Sequence, residues 1–165
     1  MMKKSVIAIL ILAGVVLANN RDLYAQDSAN PTVSDQDVQL LRKDLRSQKK
    51  QLIAANLPLT DAEAVKFWPV YDQYAAEITK IGDTRFALIK EYAAGYNSLT
   101  DEQAQSLITR SIGVDESFVQ LRLKYVPIFQ KVLSGKKTAM FFQMDKRVAL
   151  MIDLQLASII PLVQP

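Results

Sequence analysis

Any chemistry in this chain must come from carboxylates, lysines and hydroxyls, because it contains no histidine and no cysteine. Imidazole acid–base catalysis, thiol nucleophiles, Cys/His zinc sites and disulfides are all excluded together. The carboxylates that cluster are Asp61 with Glu63 and Asp101 with Glu102. Each pair follows a threonine, in Thr60-Asp61-Ala62-Glu63 and Thr100-Asp101-Glu102-Gln103. That spacing is a capping box, in which the threonine oxygen accepts from the third amide while the Glu or Gln side chain reaches back to the threonine amide. Acids in a first helical turn also meet the positive end of the helix dipole. Capping accounts for these carboxylates, so no catalytic role and no metal site is assigned to them. No spacing suggests a serine–lysine pair either, and the chain reads as a non-enzyme without a cofactor.

The remaining candidates are for binding. Arg42, Lys43, Arg46, Lys49 and Lys50 are balanced locally only by Asp44. They read either as a basic face for clients or a membrane, or as a solvated helix face. No aromatic residue is interleaved with them, as single-strand nucleic-acid binding would require. Trp68, Tyr71 and Tyr74 stand at helical spacing and read as a core stripe, with an exposed aromatic patch as the alternative. Met140, Met144 and Met151 suit either core gaps or an adaptable surface.

The elements that carry these residues are helices throughout. Ser34 opens the first, whose stripe is Val38, Leu41, Leu45, Leu52 and Ala55, with Gln48 in the remaining position. Pro58 disfavours helical geometry at Leu57 and ends it. The second helix runs from Asp61 toward Tyr92 or Ala94, with Val65, Trp68, Tyr71, Ala75 and Ile78 on one face. At 1.5 Å per residue it would be on the order of 50 Å long. The third starts at Thr100 and carries the most regular stripe: Leu107, Ser111, Val114, Phe118, Leu121, Tyr125, Ile128 and Val132. Pro69 and Pro127 fall inside continuing periodicity, which predicts bends rather than ends. Leu133, Ser134 and Gly135 form the last turn. The fourth helix, from about Lys136 to Ile159, has a broad apolar arc that includes Phe141, Phe142, Met144, Val148 and Ile152.

Ahead of these helices lies an address. Lys3 and Lys4 precede an apolar run from Val6 to Leu17, too short to span a bilayer and typical of a secretory signal peptide over residues 1–25. Cleavage after Ala18 and after Ala25 both fit, with Ala25 favoured, and an uncleaved anchor is the alternative. Residues 26–33 form a polar leader and 34–165 a single helical domain. The whole chain has 20 basic and 17 acidic side chains; without Lys3, Lys4, Arg21 and Asp22 these become 17 and 16. The basic balance therefore belongs mostly to the address and gives no support to nucleic-acid binding.

Two helix starts, Leu59-Thr60-Asp61-Ala62-Glu63 and Leu99-Thr100-Asp101-Glu102-Gln103, together with KFWPVYDQY, KYVPIFQKVL and FFQMDKR, resemble the Spy/CpxP group of periplasmic helical proteins. The resemblance extends from about Val38 to Ile152. It implies a thin, curved helical protein, an antiparallel cradle-like dimer, and an ATP-independent chaperone or a modulator of envelope stress signalling. It also implies a concave client surface that mixes basic and apolar groups. The chain departs from the pattern at Glu63, where the motif has glutamine, and it lacks a histidine-rich tail.

The expectation is an all-α, elongated bundle of four main helices, two of them long and bent at internal prolines. A fourth helix this apolar predicts a homodimer. Unfolded envelope proteins are the expected clients and a sensor protein a further partner, with Arg46, Lys49 and Lys50 attracting acidic segments. The competing expectation is a structural helical protein whose fourth helix lies on a membrane surface.

Overall fold

The computed structural model describes residues 35–163, with side chains described for 46–158 and 160–163. The expected signal peptide, its cleavage point and the leader lie outside these residues. The chain divides into two compact units, Met1–Arg42 and Lys43–Pro165. Within the first, only a helical stretch over 35–42 is described. Four helices make up the described structure: α1 (Asp35–Asn56), α2 (Asp61–Gly95), α3 (Asp101–Gln130) and α4 (Gly135–Ile159). No strand occurs among the described residues.

The helix starts are fixed by side chains. Thr60 and Thr100 each accept from the third amide, at 3.3 Å from Glu63 N and Gln103 N. Glu63 and Gln103 return the bond, accepting from the threonine amides at 2.8 and 3.0 Å. Each box satisfies two of the orphan donors of a helix N-terminus. Ser134 caps α4 through Lys137 N, so Gly135 is already helical rather than part of the turn. Helices α2 and α3 pass through Pro69 and Pro127 without interruption.

Ion pairs and hydrogen bonds give the topology of the second unit. As the α2 residue rises from Glu77 to Arg85 to Glu91, its α3 partner falls from Lys124 to Asp115 to Arg110, so the two helices are antiparallel. Between α2 and α4 the order is preserved: Glu63 meets Lys137, Tyr74 meets Asp145, and Arg85 meets Asp153. Helix α4 therefore runs parallel to α2. Beyond it, Pro161 and Leu162 carbonyls accept from the hydroxyls of Tyr92 and Tyr96 at the far end of α2.

The core sits where all four helices meet. Phe67, Tyr71 and Tyr74 of α2 pack with Tyr125 and Phe129 of α3 and with Phe141 and Met144 of α4. Ile53 of α1 and Leu57 beyond it close the cluster. Ring centroids lie 4.4 Å apart for Phe129 and Phe141 and 5.1 Å for Tyr74 and Tyr125. Interlocked ring pairs of this kind add about 0.5–1.5 kcal/mol each beyond area burial. Thr138 is buried as well, and its hydroxyl has no hydrogen-bond partner.

Three stripe assignments are corrected. In α2 the buried positions are Phe67, Tyr71, Tyr74 and Leu88; Trp68, Ala75 and Ile78 of the expected stripe pack against the core, whereas Val65 is 76% exposed. Two ladders of three-and-four spacing run through KFWPVYDQY, and the one ending on Tyr74 wins because it places two of its rings against Phe129 and Phe141. Among the described side chains of α1, Ile53 is buried, Leu52 half-buried and Ala55 exposed. In α3 Ser111 is exposed, while Val114, Leu121 and Tyr125 of the same stripe are buried.

Candidate interaction surface and buried charge cluster

The basic residues singled out on α1 divide among different environments. Arg42 and Lys43 lie in the helix, but their side chains are outside those described. Arg46 is exposed. Lys50 pairs with Asp72 at 2.6 Å and lies over the rings of Trp68 and Tyr71, 5.3 and 5.8 Å from their centroids. Lys49 turns inward to Asp145 Oδ1 and passes over the Tyr74 ring. Both lysines span the gap to the rest of the protein with their aliphatic stems and deliver the charge at the tip.

Asp145 is the centre of this arrangement and was not singled out from the sequence. It is 1% exposed. Its Oδ1 accepts from Lys49, and its Oδ2 accepts from Arg122 Nε and from the Tyr74 hydroxyl, both at 3.0 Å. Burial alone would push its carboxyl up, but Lys49 and Arg122 outweigh that and hold it below the ordinary aspartate value. Burial pushes the Tyr74 phenol strongly upward, and the charge of Asp145 adds to this, so Tyr74 stays a donor at every ordinary pH. Tyr71, buried and near the same acid and Asp72, is pushed up to about 12. Four helices thus share one carboxylate: α1 through Lys49, α2 through Tyr74, α3 through Arg122 and α4 through Asp145 itself.

A sequence signal for this acid exists. Phe141, Asp145, Val148 and Ile152 recur at four, three and four, so an aspartate occupies a position of the apolar ladder. Phe118, Arg122 and Tyr125 repeat the pattern on α3. A charged residue in phase with a core stripe must be paired if it is buried.

Glu63 combines its capping bonds with a pair to Lys137 at 2.6 Å, which holds its carboxyl below the usual range. Tyr71 and Tyr74 are core residues, and Trp68 is half-buried against them. Met144 fills the core, while Met140 and Met151 are exposed. A second carboxylate, Glu77, accepts from Lys124 and from the Tyr125 hydroxyl at 2.7 Å, and both partners lower its pKa.

Away from the core, α3 carries a second apolar face. Ile108, Ile112, Val119 and Leu123 are between 51% and 60% exposed. At 100° per residue they fall within an arc of about 60°, turned well away from the stripe that meets the core. Near the end of α4, Leu150, Met151 and Leu154 are also exposed. A shallow depression on α3 is lined by Glu102, Gln105, Ser106, Thr109 and Arg110. Among the described residues no cluster of acidic side chains could hold a metal ion, and no helix is long and apolar enough to cross a membrane. The arrangement offers surfaces for binding, and around Asp145 a charge cluster whose oxygens are already engaged.

Compared with known proteins, the chain matches no family model, no curated protein and no solved structure.

Proposed function

We propose that this chain is an exported, ATP-independent binding protein of the bacterial envelope, of the Spy/CpxP-like kind. It holds unfolded or partly folded proteins, or reports their presence to a sensor. The observation that carries this reading is the exposed apolar face of α3, formed by Ile108, Ile112, Val119 and Leu123. Such a face is open and shallow, which suits weak binding of many segments rather than capture of one small ligand. A charged residue stands beside it on the helix: Glu116, which is exposed. Of the basic residues on α1, Arg46 is the described side chain placed to attract acidic clients, while Lys49 and Lys50 are committed to Asp145 and Asp72. A homodimer that joins two such faces into a cradle belongs to the same proposal, and sedimentation as a monomer at micromolar concentration would remove it.

Aggregation of a chemically unfolded model protein, followed by light scattering without ATP, tests the reading. The chain should suppress aggregation near stoichiometric ratio, and Ile112→Asp with Val119→Asp should abolish most of that effect. No suppression by the unaltered chain would refute it. A second reading draws on Leu150, Met151 and Leu154: α4 would rest on a lipid surface, and the protein would float with vesicles containing anionic lipid.

A further inference from the structure

Helix α1 is bound to the rest of the protein as a ligand would be. Along residues 43–56 no Cα of α1 lies within 8 Å of a Cα in α2, α3 or α4. The same holds between α2 and α4, but there large aromatic rings fill the space. For α1 the space is crossed by lysine stems and by Ile53, with Leu57 following. Lys49 reaches Asp145, Lys50 reaches Asp72 across the rings of Trp68 and Tyr71, and Ile53 and Leu57 sit in the apolar cluster. The surface beneath combines two carboxylates with aromatic faces, both of which attract cations.

The pairing of Asp145 shows that this surface can exist without its strap. When Lys49 leaves, Arg122 and Tyr74 still engage the carboxylate through Oδ2. The buried acid then keeps a counter-charge and a hydrogen bond, so α1 can separate without stranding it.

We propose that the α2–α4 face around Tyr74, Trp68 and Asp145 is a binding site for basic amphipathic segments, and that α1 fills it in cis as an autoinhibitory strap. The ligand class is read from the strap itself: two adjacent cations, then a branched apolar residue three positions after the second and another after four more. A segment of this pattern from a partner protein competes with α1 and takes its place. Because α1 is tethered, it acts at high effective concentration, and an outside ligand sees only the fraction of molecules whose strap is open. This site is separate from the exposed face of α3, and neither depends on the other.

Trp68 is the only tryptophan of the chain and lies under Lys50, so its fluorescence reports the occupant of the site. The probe is a synthetic peptide of residues 43–59, which contains no tryptophan, titrated into the purified chain and into its Lys49→Ala/Lys50→Ala variant. The variant should bind the peptide at least tenfold more tightly than the unaltered chain, and a peptide with both lysines changed to glutamate should not bind. A chain whose α1 is fixed by a bismaleimide link between Lys50→Cys and Asp72→Cys should not bind it either. Equal affinity of variant and unaltered chain, or binding by the linked chain as tight as by the variant, would overturn the proposal. So would loss of a cooperative urea unfolding transition in Lys49→Ala/Lys50→Ala, since it would mean that α1 cannot leave a folded remainder.

Discussion

The two ends of the α2–α3 pair are built on different principles. Around Tyr74, rings from three helices interlock, Ile53 and Leu57 cover them, and a carboxylate is shut inside with two cations. Toward Gly95 and Asp101 the same two helices bury little beyond Leu88 and Val114. There they are joined by pairs at the surface: Arg110 grips Glu91 through two bonds of 2.8 and 2.7 Å, and Arg85 bridges Asp115 and Asp153. Exposed ion pairs of this sort contribute roughly 0–1 kcal/mol, whereas one buried aromatic ring is worth about 3–5 kcal/mol against alanine. Stability is therefore concentrated at the aromatic end. The other end is left free to present Ile108 and Ile112 to a partner at small cost to the fold.

This contrast can be broken most severely at Asp145. Asp145→Ala leaves Lys49 and Arg122 as part-buried cations without their counter-charge and should cost about 3–5 kcal/mol in urea unfolding. Phe141→Ala, which opens a cavity among five rings, should cost about 3–5 kcal/mol as well. Ile112→Asp, at the other end, should stay within about 0.5 kcal/mol of the unaltered chain. Comparable losses at Phe141 and Ile112 would erase the distinction between the two ends. Hydrogen exchange sharpens it further: amides of residues 67–78 and 121–129 should exchange only with global unfolding, and those of 88–110 through local opening.

Acid provides a finer probe of the same asymmetry. The Asp145 carboxyl is held below its ordinary value, so the folded state binds its proton more weakly than the unfolded state does. Its contribution is complete above the unfolded value of about 3.9 and is lost as pH falls through the lower folded value. Unfolding measured from pH 5 to pH 2 should therefore show an acid-induced loss that Asp145→Asn reduces. The smallest effects belong to the caps. Thr60→Ala and Thr100→Ala should each cost about 1 kcal/mol, with Thr60→Ala the larger because Glu63 also anchors Lys137 of α4.

Much of the helical architecture was legible in the sequence, and the places where it was not share a cause. The capping threonines and the α3 stripe were readable because they depend on local bonds and one clear period. Phe67 was passed over for Val65 because two overlapping ladders fit the same segment, and only the rings contributed by α3 and α4 decide between them. Ile53 was missed beside Leu52 for the same reason. The inward course of Lys49 and Lys50 could not be read from α1 alone, since their partners Asp145 and Asp72 stand on other helices. Asp145 itself was hidden by the expectation that aspartate faces water. Its place in the ladder of Phe141, Val148 and Ile152 is the sign that would have revealed it.

The central claim is that the exposed face of α3 binds unfolded protein while the aromatic end keeps the chain folded. The most direct measurement compares the unaltered chain with Ile112→Asp/Val119→Asp for suppression of client aggregation, alongside urea unfolding of both. The account predicts near-unchanged unfolding midpoints and loss of most suppression in the variant. Equal suppression by the two proteins, with both fully folded, would contradict it.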